Sequence, residues 1–154
     1  MKIRVLSLRQ STVREIATLE KVYVNRLRNI AHIELIDVKP KSGQRSKTSG
    51  IKTDGEKILD KIDSEAVLVI LDSEGKNFTS ERLADWLGEQ IHRGKKKIDF
   101  VVGSAEGLDE NVKSRADLRL KLSDLTLPHQ LVRLILIEAI YRSFDILGPK
   151  TYHK

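Results

Sequence analysis

The chain contains no cysteine. That excludes disulfides, thiolate metal sites and cysteine nucleophiles together. Histidine is nearly as scarce: His32, His92, His129 and His153 are the full set, and no two stand at a metal-ligand spacing on one helix. No metal site of the usual zinc kind is expected. No apolar run approaches the roughly 18 residues that a membrane span requires. The opening "MKIRVLSLRQ" is too short and too alternating for a secretory signal, so a cytoplasmic protein is expected. A P-loop pattern is also missing.

What is present is a folded chain. It has 154 residues, 40% hydrophobic and 32% charged, which predicts one domain with one proper core. The net charge of +6 favours an anionic partner such as RNA.

Hydrophobic periodicity lays out the elements. Met1–Leu8 reads as a strand. Val13, Ile16, Leu19, Tyr23 and Leu27 recur at helical spacing, with Thr12 and Glu15 as a capping-box pair. "HIELIDV" alternates as a second strand. Lys39–Lys57 is rich in Ser, Gly and Lys and reads as a loop leading into a short helix around Glu56–Ile62. "AVLVILD", Ala66–Asp72, is continuous enough to be a strand buried on both faces. A helix capped near Thr79 or Ser80 follows and stops at Gly94. "IDFVVG" is another buried strand, "LRLKLSD" a short one. Strands alternating with helices predict an α/β fold with a mostly parallel sheet flanked by helices.

Ligands of open α/β sheets gather at the carboxyl ends of the strands. This rule selects the loop after Leu71-Asp72, the turn at Gly103 and the run Ser123–Pro128. "GSAEG", Gly103–Gly107, fits neither the nucleophile elbow nor the dinucleotide fingerprint, because Ala105 occupies the decisive position. It remains a glycine turn whose backbone can approach a ligand or simply join strand to helix.

"LTLPHQLVRLILIEAIYRS" is apolar almost all round a helix, yet carries Arg133, Glu138, Tyr141 and Arg142. Pro128 suits the first helical position. Leu131, Ile135, Glu138 and Arg142 share one face. A helix apolar on every side is normally covered on every side, so a symmetric homodimer with this helix at its interface is expected. Glu138 and Arg142 are four apart in the favourable order for an ion pair. The pair either neutralises two charges near the interface or positions Arg142 to hold a phosphate or a base. Lys39–Lys57, with six Lys or Arg against two acids, the segment "HRGKKK" and the tail "GPKTYHK" together suit contact with an RNA backbone.

The block "LSDLTLPHQLVRLILIEAIYRSFDI" with the terminal "YHK" resembles the RlmH family, SPOUT-superfamily methyltransferases that act on a pseudouridine of large-subunit ribosomal RNA. "GSAEGL" resembles that family's glycine loop, with Ser104 where a second glycine is usual, and "LDSEGKNFTSERLA" its upstream strand, loop and helix. The resemblance covers essentially the whole chain. It implies a single domain over residues 1–154 with a deep trefoil knot in the C-terminal part, from about residue 66 onward. It also implies an obligate homodimer and S-adenosyl-L-methionine as cofactor, contacted by Leu71, Gly103, Ser104, Ser123, Asp124, Leu125, Thr126, Leu127 and Pro128. The substrate would be N3 of a pseudouridine in ribosomal RNA, presented by the large subunit or the assembled ribosome. Arg142, oriented by Glu138, would hold the base or a phosphate, and Tyr152 and His153 would lie near the target base. His129 would hold the cofactor loop in shape. The competing readings are a SPOUT-fold RNA-binding protein without catalysis and a methyltransferase with another target such as tRNA.

Overall fold

The computed structural model describes residues 1–8, 13–39, 47–104 and 106–148. The order of elements is β1 (Lys2–Ser7), α1 (Arg14–Leu27), β2 (His32–Asp37), α2 (Lys47–Lys61), β3 (Val67–Asn77), α3 (Ser80–His92), β4 (Lys97–Val102), α4 (Glu110–Arg115), β5 (Leu118–Lys121) and α5 (His129–Leu147). Five strands form one sheet in the order β2-β1-β4-β3-β5, and every pairing is parallel. The expected α/β architecture with a mostly parallel sheet is therefore observed.

Strand side chains alternate between two cores, as a period of two requires. Ile3, Val5, Val69, Phe100 and Val102 face α1, α3 and α5, where they meet Leu27, Leu87, Leu136, Ile140 and Phe144. Leu6, Leu8, Leu68, Ile70 and Val101 face the other way, against Ile58 of α2 and Val112 of α4. Both faces of the sheet are covered, which is why the central strands read as continuous apolar runs. Fully burying each such side chain contributes about 1.5–3 kcal/mol.

One charged pair lies within this packing. Arg4 and Asp99 are register partners on β1 and β4, and Asp99 is completely buried. Arg4 Nε donates to its carboxylate at 2.8 Å, and the Asp63 main-chain N–H donates at 3.0 Å. The carboxylate also keeps the Arg4 guanidinium above its ordinary pKa range, against the opposing effect of burial. The ion pair thus ties β1, β4 and the turn before β3 together.

Several boundaries differ from the sequence reading. The helix expected around Glu56–Ile62 begins at Lys47, so Lys47–Lys57 is helix rather than loop. Gly50 and Gly55 weaken the intrinsic helical signal there, but Leu59 and Ile62 pack against the second core and Ile58 is buried in it. Residues 40–46 of that predicted loop lie outside the described residues. The N-cap of α1 is Val13, without a side-chain cap. Glu15 is therefore too close to the helix start for the predicted capping box, and Thr12 lies outside the described residues. Thr79 caps α3 as expected, its hydroxyl accepting from the Arg82 N–H at 3.2 Å. Gly94, at φ +72°, ends that helix in the left-handed region. Pro128 is the N-cap of α5 rather than its first helical residue.

β3 also runs further than its apolar stretch. It pairs with β5 up to Leu71, breaks register, and resumes at Lys76, so that Leu120 is partner to both Leu71 and Lys76. Asp72–Gly75 bulges out between these pairings. Gly75 permits it, because an added Cβ would stand 2.7 Å from the Arg119 main chain.

Candidate functional site

The three strand-end loops singled out in the sequence meet around one cavity of about 580 Å³. Leu71, Asp72 and Glu74 come from β3 and its bulge, Gly103, Ser104, Glu106 and Gly107 from the turn after β4, and residues 122–127 from the segment between β5 and α5. Of the residues assigned to the cofactor, Leu71, Gly103, Ser104, Ser123, Asp124, Leu125, Thr126 and Leu127 all line it, while Pro128 does not. Parallel strands make this convergence, since their carboxyl ends all point to one edge of the sheet.

Local chemistry shapes each wall. Gly103 approaches Leu108 so closely that an added Cβ would lie 2.7 Å from its Cγ. Ser104 stands where the family pattern has its second glycine, and no residue other than glycine has a positive φ among the described residues. Serine therefore fits this turn without strain. Its hydroxyl accepts from the Glu106 N–H at 3.3 Å and bonds the Gly107 carbonyl at 3.3 Å. Gly107, at φ +99°, completes the turn in the conformation that glycine tolerates. On the third wall, Ser123 Oγ accepts from the Leu125 N–H at 2.9 Å.

His129 opens α5 and lines the cavity. Its Nε2 lies 2.6 Å from the Gly103 carbonyl oxygen. A carbonyl only accepts, so Nε2 carries the proton and donates. This bond joins the start of α5 to the turn after β4, the loop-holding role expected of His129.

The electrostatics are mixed. Asp72 pairs with Arg119 at 2.8 Å, and Glu74 reaches the same guanidinium at 3.3 Å. The hydrogen bond that Arg119 donates to Asp72 raises the Arg119 pKa above its ordinary value. Lys113, on the cavity wall, is raised likewise by its bond to Glu110. Asp124 pairs with Lys121 at 2.5 Å. Lys113 and Arg119 therefore stay charged across the neutral range, so neither is a proton acceptor.

Glu138 and Arg142 form the expected ion pair on α5, and the hydrogen bond that Arg142 donates to Glu138 raises the Arg142 pKa. Neither lines the cavity. The helix borders it at His129 and Val132, and Arg142 sits ten residues beyond Val132, about 15 Å along the axis. Tyr152 and His153 lie outside the described residues.

Sequence reasoning gave no role to Arg133, which is 5% exposed. It donates to both carboxylate oxygens of Glu20 at 2.7 and 2.6 Å, and to Asp37 at 2.6 Å. Burial opposes its charge, but the two carboxylates outweigh that and raise its pKa. The network fixes the first turns of α5 against α1 and the carboxyl end of β2. The only sequence signal was an arginine on an otherwise apolar helix face.

Comparison with known proteins agrees with this arrangement. Residues 1–153 match the family described as "Predicted SPOUT methyltransferase". The chain is 38% identical over 161 residues to "Ribosomal RNA large subunit methyltransferase H" of Syntrophomonas wolfei, covering all of both chains. It is 37% identical over 156 residues to the protein of that name from Chromobacterium violaceum, covering 100% of this chain and 99% of that one. A third of that name, from Oenococcus oeni, is 41% identical over 137 residues, 86% of each chain. With its parallel sheet, its strand-end cavity and this match along nearly its whole length, the chain belongs to the SPOUT methyltransferase family.

Proposed function

We propose that this chain is an S-adenosyl-L-methionine-dependent methyltransferase that modifies N3 of a pseudouridine in large-subunit ribosomal RNA. The observation that carries the reading is the convergence of the three strand-end loops on one cavity in a member of a methyltransferase family. The lining suits the methyl donor. Leu71, Leu108, Leu127 and Val132 offer apolar walls to an adenine ring, and Glu106 and Asp124 place carboxylates near its positive charges. Leu71, Gly103, Ser104 and Ser123–Leu127 would hold it, closed by a trefoil knot in the C-terminal part of the chain. Bound there, the cofactor supplies a methyl group made electrophilic by its sulfonium.

The protein's own task is then chiefly alignment of base and donor. The target nitrogen must also shed a proton as it is methylated. Arg142 stays cationic and stabilises the negative charge that develops on the base, with Glu138 fixing its direction. By the family resemblance, Tyr152 or His153 would act near the target base. Arg142 does not line the cavity of its own chain, so the reading includes a homodimer in which α5 of one copy approaches the other's cavity. The half-exposed Leu131, Leu134 and Ile135 on α5 support that contact.

Titration calorimetry with S-adenosylmethionine is the first test. One saturable site per subunit is expected, and no binding at about 1 mM cofactor, a free energy weaker than roughly −4 kcal/mol, would sink the enzyme reading. Methyl transfer is then compared on large ribosomal subunits, assembled ribosomes and tRNA. Arg142→Ala, and removal of Tyr152–Lys154, should abolish transfer while cofactor binding persists. Full activity in either would overturn the role given to that residue or tail.

A further inference from the structure

A second cleft, of about 680 Å³, opens at the other end of β3. Ala66 and Val67 form its floor, Trp86 and Gln90 of α3 one wall, and Arg115 of α4 the opposite one. Its size falls in the roughly 300–1,000 Å³ range of ligand sites.

Arg93, Lys95 and Arg115 stand around it. The neighbouring carboxylates are engaged elsewhere: Glu65 pairs with Lys97 at 3.2 Å, and Asp117 accepts the Leu68 N–H at 2.7 Å. Arg93 meets Glu89 only at 3.5 Å, with both side chains mostly exposed, which makes a weak pair. Arg115 reaches the Ser64 carbonyl only at 3.4 Å. The last carbonyls of α3 are capped by the main-chain N–H groups of Arg93, Gly94 and Lys95. Basic residues at helix carboxyl ends offset the dipole, which accounts for Arg93 and Arg115 but not for Lys95, beyond both helices.

Gln90 is the second, independent observation. It is 5% exposed, and its amide nitrogen makes one long contact, 3.5 Å to the Trp86 carbonyl. No bond to its side-chain oxygen occurs among the described residues. Buried carboxamides are ordinarily satisfied, so this one is suited to a polar ligand in the cleft. Beside it stands Trp86, half-buried and the sole tryptophan of the chain. An indole face stacks a base, a carboxamide reads a base edge, and cations hold phosphates.

We propose that this cleft binds a nucleotide of single-stranded RNA, its base on Trp86 and Gln90 and its phosphates on Arg93, Lys95 and Arg115. The inference rests on the RNA substrate argued above and adds a second point of attachment. Val67 and Leu71 lie four residues apart on β3, about 13 Å, so the cleft grips RNA apart from the reacting base.

The test uses the full chain and a short labelled oligoadenylate at low salt. Anisotropy of the label reports binding anywhere, and Trp86 emission reports this cleft alone. A saturable emission change that tracks the anisotropy is expected. In the Lys95→Glu, Arg115→Glu double variant, binding should weaken at least about tenfold, with a shallower salt dependence. Lys95→Arg should bind like the parent, and a matching thermal melt shows that the double variant folds. Binding with silent Trp86 emission, or equal binding by the charge-reversed protein, overturns this inference and leaves the proposed function standing. Failure to bind oligoadenylate and ribosomal RNA alike overturns both.

Discussion

Arg133 meets Glu20 across 113 positions of sequence, in a two-pronged ion pair with both side chains under 10% exposed. The energy of such a pair is asymmetric. Removing one member strands the other, which costs about 3–5 kcal/mol, whereas replacing both with apolar groups is often neutral. Arg133→Met should therefore lower unfolding free energy by that amount in a urea titration. The double variant Arg133→Met, Glu20→Leu should recover most of it. A single variant as stable as the parent would remove the network from the account of the fold.

His129 predicts a local effect instead. Without its bond to the Gly103 carbonyl, His129→Ala leaves a partly buried acceptor unpaired, at about 1–3 kcal/mol. Part of this should appear as cofactor affinity reduced roughly tenfold by calorimetry. An unchanged affinity would separate His129 from the shape of the cavity.

Ile135 lies half-exposed on the outer stripe of α5 with Leu131 and Leu134. A carboxylate placed there by Ile135→Glu would be desolvated in a dimer but hydrated in a monomer. Light scattering at micromolar concentration should give the dimer mass for the parent and half of it for the variant. A monomeric parent protein would refute the dimer.

Lys97 and Asp63 pair at 2.8 Å, and the hydrogen bond from Lys97 holds the Asp63 carboxyl below its ordinary value of 3.8. A carboxyl depressed on folding stabilises the native state above its unfolded pKa, and that contribution fades as pH falls through the folded one. Asp63→Asn should therefore melt below the parent at neutral pH. The gap should narrow as pH drops under 3.8, which thermal melts across an acid series would follow. A gap that stays constant would contradict the assignment.

The parts of the fold legible in the sequence are those decided by local pattern. β1 and β4 contain apolar runs and β3 begins with one because both faces of the sheet are covered, and Thr79 and Gly94 bound α3 through their own chemistry. The site was legible for a related reason: parallel strands oblige loops distant in sequence to share an edge. What escaped was decided by partners far along the chain. The first half of α2 looks like a loop because Gly50 and Gly55 weaken its helical signal, while Gly55 lies close against Asp109 at the start of α4. The six residues of α4 are too few to show a period. The extension of β3 past Asp72 depends on β5 resuming its pairing after a bulge. Arg133 announces only that a charge sits on a greasy helix; Glu20 and Asp37 become its partners once α1, β2 and α5 are packed together.

The strand order also governs how the chain acquires its structure. β1 is an interior strand of the sheet and must accept β4, whose Asp99 lies 95 positions beyond Arg4. α5, which follows all five strands in the sequence, supplies Leu136, Ile140 and Phe144 to the core shared with α1 and α3. Most stabilising contacts are therefore nonlocal, and contacts of that kind slow folding because long loops close before they are rewarded. β1 and α1 therefore complete their packing only once α5 is in place, and sheet and helices gain their stability together.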